Sequence, residues 1–164
     1  MKLLFKQRIF SWFDSYDIYN EDGSTAYTVK GELSWGHLLR IYDANGRELG
    51  CIKQEIFSFL PKFYMHVGDE RIGSICRELT LFRPKYNIDY KGWGVEGDLF
   101  ELEYSVFDQI GREVASVSQE LWHFADTYAI DVENPDDALY ALMLVLAIDA
   151  EKCSRKNLVL DFKF

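Results

Sequence analysis

Asn134-Pro135-Asp136-Asp137-Ala138-Leu139-Tyr140-Ala141-Leu142-Met143-Leu144-Val145-Leu146-Ala147-Ile148 decides the architecture. Asn134 is a helix N-cap residue, Pro135 fits the first helical position, and Asp136 and Asp137 place acids in the first turn. From Ala138 to Ile148 there follow eleven residues without a charge. A helix with no polar face must be covered on all sides. A bilayer span takes about 20 apolar residues, so this run is too short to cross and needs protein around it. Asp149, Glu151 and Lys152 return the chain to polar character, which predicts a helix from Pro135 to about Lys152.

The rest of the chain says what surrounds the helix. Ile41-Tyr42-Asp43-Ala44-Asn45-Gly46-Arg47-Glu48-Leu49, followed by Ile52 and Gln54-Glu55, recurs as Val106-Phe107-Asp108-Gln109-Ile110-Gly111-Arg112-Glu113-Val114, followed by Val117 and Gln119-Glu120. A weaker copy runs Ile18-Tyr19-Asn20-Glu21-Asp22-Gly23, with Ala26, Val29 and Glu32. A shortened one runs Met65-His66-Val67-Gly68-Asp69-Glu70-Arg71-Ile72, with Ile75 and Glu78. Apolar run, glycine-containing polar turn and second apolar run make a β-hairpin. The aspartates are suited to bonding the turn backbone, which makes them structural residues. The uneven spacing of the copies excludes a solenoid. In each copy two apolar residues stand three apart in the second strand, as at Ala26 and Val29. A regular strand would send such a pair to opposite faces, so either a bulge lies between them or the outer face is partly covered.

Short strands are predicted near 3–8, 15–20, 25–33, 37–43, 47–55, 63–67, 71–79, 85–90, 93–96, 100–107, 112–121 and 126–132. An aromatic fraction of 16% agrees with a strand-rich chain. About twelve strands close a barrel too wide for its own side chains to fill, and a helix about 10–12 Å across would plug it. The predicted fold is therefore mainly β, about twelve strands closed around a central hydrophobic C-terminal helix. The alternative is a helix held between the sheet and a partner protein. The barrel takes residues 1–153. The tail 154–164, with strand character in Leu158-Val159-Leu160, is an added strand, a partner-binding tail or a weakly ordered end.

The 164 residues suit one domain, and no Pro/Gly/Ser-rich linker divides them. The formal net charge of −9 disfavours nucleic acid and anionic membranes over long range. Cys51, Cys76 and Cys153 form no CxxC pair and are read as reduced thiols, with a Cys51–Cys76 disulfide as the alternative. The N-terminal apolar run is broken by Lys6 and Arg8, so no export signal is inferred and a cytoplasmic location is expected.

These repeats and the terminal apolar helix resemble the LURP-one-related family of the Tubby C-terminal-like superfamily, to which phospholipid scramblases also belong. The resemblance covers roughly residues 1 to 153 and implies a twelve-stranded barrel around a central helix. Tubby proteins bind phosphoinositides through a strand beginning Ile-Gly-Lys-x-Arg. The nearest match here, Ile72-Gly73-Ser74-Ile75-Cys76-Arg77, has serine in the lysine position and arginine one place late.

No catalytic set is legible. His37, His66 and His123 have no second ligand at metal spacing. No GxSxG, phosphate loop or nucleophilic cysteine motif occurs. Gly92-Trp93-Gly94-Val95-Glu96-Gly97 is read as a tight strand-to-strand crossing. The basic residues Arg77, Arg83, Lys85 and Lys91, with Phe82, Tyr86, Tyr90 and Trp93 nearby, form the candidate contact for an anion or lipid headgroup. A solvated loop of mixed charge is the structural reading of the same stretch. The expected function is a non-enzymatic cytoplasmic binding or scaffold domain without cofactor or metal, its partners proteins or anionic lipid headgroups. A membrane-surface lipid binder is the alternative, and a small-molecule carrier or enzyme with an open barrel is a third.

Overall fold

A computed structural model describes residues 1–6, 15–34, 36–78, 85–99, 101–120 and 127–161, with side chains for all of these except 6, 33, 34 and 153–161. Twelve strands form one antiparallel sheet: β1 (Lys2–Lys6), β2 (Ser15–Asn20), β3 (Thr25–Ser34), β4 (Gly36–Asp43), β5 (Glu48–Gln54), β6 (Lys62–Val67), β7 (Glu70–Arg77), β8 (Tyr86–Asp89), β9 (Gly94–Asp98), β10 (Glu103–Phe107), β11 (Glu113–Gln119) and β12 (Thr127–Val132). A 3-10 turn, Pro135–Asp137, leads into α1 (Ala138–Asp161). The sheet order is β8-β7-β6-β5-β4-β3-β2-β1-β12-β11-β10-β9. The meander is thus wrapped until β1 meets β12, pairing Lys2 with Asp131 through Lys6 with Thr127. The barrel is nearly closed, because β8 and β9 are the two ends of the order and no ladder joins them.

The repeated motif has one structural meaning. Asp43 Oδ1 accepts from the backbone N–H of Asn45 and of Arg47, both at 2.9 Å, and Arg47 Nε donates to Oδ2 at 3.2 Å. Asp108 does the same with Ile110 N and Arg112 N, both at 3.0 Å, and with Arg112 Nε at 2.9 Å. The two backbone N–H donors in each turn hold Asp43 and Asp108 below the usual carboxylate range, the Arg47 and Arg112 amides contributing most.

The open question about the paired apolar residues is answered by bulges. Ile18 faces Tyr27 but Tyr19 faces Thr25, which leaves Ala26 as the extra residue. The same shift leaves out Leu49 between β4 and β5, Ile72 between β6 and β7, and Val114 between β10 and β11. These are the first members of the four apolar pairs. The extra residue lets Ala26 and Ile72 pack on the core, and Val114 join it, beside Val29, Ile75 and Val117. Bulges add local twist and bend; four at one level of the barrel supply curvature where the sheet must close.

The helix fills the interior. No residue from Ala141 to Glu151 is more than 8% exposed. Successive helical residues point about 100° apart, so eleven buried in a row means contact around the full circumference. Ile18, Ile41, Ile52, Met65, Ile75, Val106 and Ile130 close the core from the strand side. At its start, Asn134 caps the 3-10 turn by accepting from Asp136 N at 3.1 Å. The α-helix begins three residues later than the predicted start and continues to Asp161, nine beyond the predicted end at Lys152. Residues 158–161 are therefore helical, where the sequence left an added strand open. The polar Ser154-Arg155-Lys156-Asn157 ends the apolar pattern without ending the helix.

Candidate functional site

Antiparallel connectivity gives the barrel two unlike ends. At one lie the glycine turns 21–24, 44–47, 68–69 and 108–112, the turn between β8 and β9, and the start of α1. At the other lies the β5–β6 connection, Glu55 to Pro61, towards which α1 runs.

That connection carries the most anomalous surface among the described residues. Phe57 and Phe59 are each 93% exposed, and Ile56 is 47% exposed. Scattered exposed apolar residues are ordinary; three within four positions make a patch. The hairpin beneath it is firm. Glu55 N donates to Lys62 O at 2.8 Å, Tyr64 Oη donates to Glu55 Oε2 at 2.7 Å, and Lys62 and Arg71 both lie over the Tyr64 ring. Lys53 and Lys62 flank the tip, one on each strand. Sequence reasoning passed over this tip as a connection between predicted strands. The signal was present: Ile56-Phe57-Ser58-Phe59-Leu60 joins two strands without the Gly, Asn or Asp that marks the four repeated hairpins.

The predicted cationic contact is dispersed. Arg77, at the end of β7, points inward, its Nη1 3.6 Å from Glu151 Oε1. Lys85 Nζ is 3.5 Å from Glu78 Oε2 on the surface. Lys91 lies at the opposite end of β8, 3.3 Å from Asp137 Oδ1 and over the rings of Tyr90, Tyr140 and Trp93 at 5.3, 5.0 and 6.0 Å. The bond with Tyr90 chiefly, and then Asp137, raise the Lys91 pKa above its ordinary value. Lys91 therefore clips the β8–β9 turn to the start of the helix. Arg83 lies outside the described residues, as do Phe82, Trp122 and His123.

Inside the barrel, Glu151 is 1% exposed and accepts from Tyr86 Oη at 2.5 Å. Asp149 is also buried. The Tyr104 hydroxyl is fully enclosed, without a hydrogen-bond partner among the described residues. Burial, then the nearby Asp149 and Tyr86, push its pKa well above the usual phenol range. Such a cluster positions the helix. Two grooves on the barrel surface, about 710 and 580 Å³, are not lined by Asp149, Glu151 or Tyr104, so neither groove brings substrate against these groups.

Other reactive groups are held in quiet states. Burial raises the Cys51 thiol pKa, opposite to what a nucleophile needs. Cys51 and Cys76 are free thiols, so the Cys51–Cys76 disulfide is not formed; the Cys153 side chain lies outside the described residues. Burial lowers the pKa of His37, and of His66, where Lys53 and Arg71 add to the effect. Among the described residues no cluster of His, Cys, Asp or Glu is arranged for a metal, and no helix is long and apolar enough to cross a membrane.

Comparison with known proteins matches this architecture. An uncharacterised Bacillus subtilis (strain 168) protein, YxjI, is 28% identical over 151 residues, covering 91% of this chain and 92% of its own length. A protein from Arabidopsis thaliana, solved by X-ray, superposes with a TM-score of 0.59 at 13% identity over 90% of this chain and 89% of that one. At that identity the likeness is one of fold. The family model described as LURP-one-related matches residues 1–149, the full barrel and the first half of its helix, and the chain belongs to the LURP-one-related family.

Proposed function

We propose that this protein is a non-enzymatic binding or scaffold domain of the cytoplasm, making its contacts on the outside of the barrel, with the Ile56–Phe59 tip foremost. One observation carries the reading: the lumen, where a barrel usually keeps a ligand, is occupied by Leu142 to Ile148 of the same chain. An open-barrel carrier or enzyme needs that space. The free energy for binding must then come from outer surface, and among the described residues the two exposed phenylalanines are its largest unspent apolar resource. The test replaces both, Phe57→Ser with Phe59→Ser, and uses wild type and variant as bait in the native host. A saturable complex with wild type, lost in a variant of unchanged melting temperature, supports the reading. Equal capture by both, or saturable catalysis traced to a defined pocket, overturns it.

A second reading has its own support. Lys53 and Lys62 beside the phenylalanine tip combine apolar insertion with attraction to anionic headgroups. Arg77, Arg83, Lys85 and Lys91 are the further contacts inferred from sequence. Co-sedimentation with phosphoinositide-containing vesicles at physiological salt tests it. Binding that falls in the Phe57→Ser, Phe59→Ser variant supports tip insertion; binding that falls when Arg77, Lys85 and Lys91 become Ala, in a variant of unchanged melting temperature, supports the cationic contact. No sedimentation of wild type removes the reading.

A further inference from the structure

The barrel has one open joint. Trp93 N donates to Tyr90 O at 2.9 Å, with φ of +46° at Lys91 and +66° at Gly92, the pattern of a two-residue hairpin turn. Such a turn normally starts a ladder, yet β8 pairs only with β7 and β9 only with β10. Each strand therefore keeps an edge of backbone N–H and C=O groups turned towards the seam. The smaller groove, about 580 Å³, opens at this seam beside Tyr86 of β8 and crosses Gly94, Val95 and Glu96 of β9 to reach the β10–β11 turn at Asp108 and Gln109. Its β9 wall is bare: a Cβ at Gly94 would meet nothing within 4 Å.

Lys85 and Lys91, at the two ends of β8, are each paired, with Glu78 and Asp137, which leaves the charge along the joint to acids. Asp89 on β8 and Glu96 on β9 are exposed, and neither has an ion-pair partner among the described residues. Exposed acids and short length are how proteins protect an edge from their own kind, and a second copy with net charge −9 would be repelled here. A cationic strand would be attracted.

We infer that the β8–β9 seam binds an extended, basic peptide segment by strand addition to β9. Backbone bonds to the β9 edge supply the ladder, and Lys or Arg at alternate positions lie beside Glu96 at cross-strand distance. Small apolar residues occupy the positions between, on the side where Val95 packs against the core. The site is separate from the phenylalanine tip, so it stands or falls independently of that surface.

The probe is a synthetic heptapeptide of alternating Lys and Val, titrated into the full chain at roughly 0.15 M salt. Expected are saturable binding and slowed hydrogen exchange of β9 amides. Gly94→Val adds bulk to the groove wall from a position where a Cβ meets nothing within 4 Å, and Glu96→Lys reverses the charge; each should weaken binding about tenfold or more with unchanged melting. If Gly94→Val does not fold, Glu96→Lys carries the comparison. The same peptide N-methylated at alternate residues keeps its charge but loses ladder donors, and should not bind. Phe57→Ser should bind like wild type. No saturation with wild type, N-methylated peptide binding within about threefold, or protection confined to other strands overturns the inference.

Discussion

Truncating three consecutive residues of the helix tests whether the barrel surrounds it. Leu142, Met143 and Leu144 are each at most 1% exposed and point about 100° apart. Each change to Ala removes about three carbon-sized groups, or ~2.4 kcal/mol of transfer free energy at ~0.8 kcal/mol per methylene. A lumen walled by hydrogen-bonded strands collapses little, so the residual cavity brings the cost to about 3–4 kcal/mol at each site. For a domain of this length that is a fall of about 6–16 °C in melting temperature, within a total stability of about 5–15 kcal/mol. Urea unfolding at 25 °C, followed by tryptophan fluorescence, measures it. Ile110→Ala, at a site 70% exposed on a turn, should change stability by less than about 0.5 kcal/mol. The reasoning fails if any one of the three helical sites costs less than about 1 kcal/mol while its neighbours cost 3, because the helix would then have a face turned away from the barrel.

Other outcomes follow from particular contacts. Gly50→Ala and Gly73→Ala would place a Cβ 2.4 Å from His66 O and Asp89 O, so each should cost more than about 2 kcal/mol by chemical denaturation, whereas Gly94→Ala should be neutral to within about 0.5. Tyr86→Phe removes the hydroxyl bonded to buried Glu151 and should lower stability by about 1.5–3 kcal/mol. Asp43 and Asp108 have folded pKa values below their unfolded ones. Their stabilisation is complete above the ordinary carboxylate pKa of about 3.9 and is lost as pH falls through the lowered folded value. The gap in urea midpoint between wild type and the Asp43→Asn, Asp108→Asn variant should therefore be widest near pH 6 and close as pH falls below about 4; a gap independent of pH would refute the assignment.

Why some of this was legible from sequence and some was not comes down to range. The Asp43 and Asp108 turns are local: each aspartate bonds groups two and four residues away, so spacing alone reveals them. The all-apolar helix is also a local pattern with a global consequence. The bulges were half legible: the apolar pairs announced an irregularity, but choosing between a bulge and a covered face required knowing the partner strand. The end of the helix was missed because Leu158-Val159-Leu160 carries no period that distinguishes strand from helix over so short a run. Arg77 was the hardest case. A cation near the end of a strand looks solvent-facing in sequence, and its buried partner Glu151 lies on an element 74 residues later. The phenylalanine tip was missed for the opposite reason: apolar residues suggest burial, and exposure depends on what the fold fails to cover.

The helix that fills the barrel follows all twelve strands in the chain. During synthesis, at about 5–20 residues per second, the strands leave the ribosome before any of the core they must enclose. For on the order of ten seconds the nascent chain holds inward-facing Ile, Val and Phe side chains with nothing to pack against, and β1 waits for β12. Closure is then a late, concerted event set off by arrival of the helix, and a truncation that removes Ala141 to Glu151 leaves a complete set of strands without the segment they pack around. Such a chain should depend on holding chaperones during translation and be degraded rather than tolerated when shortened.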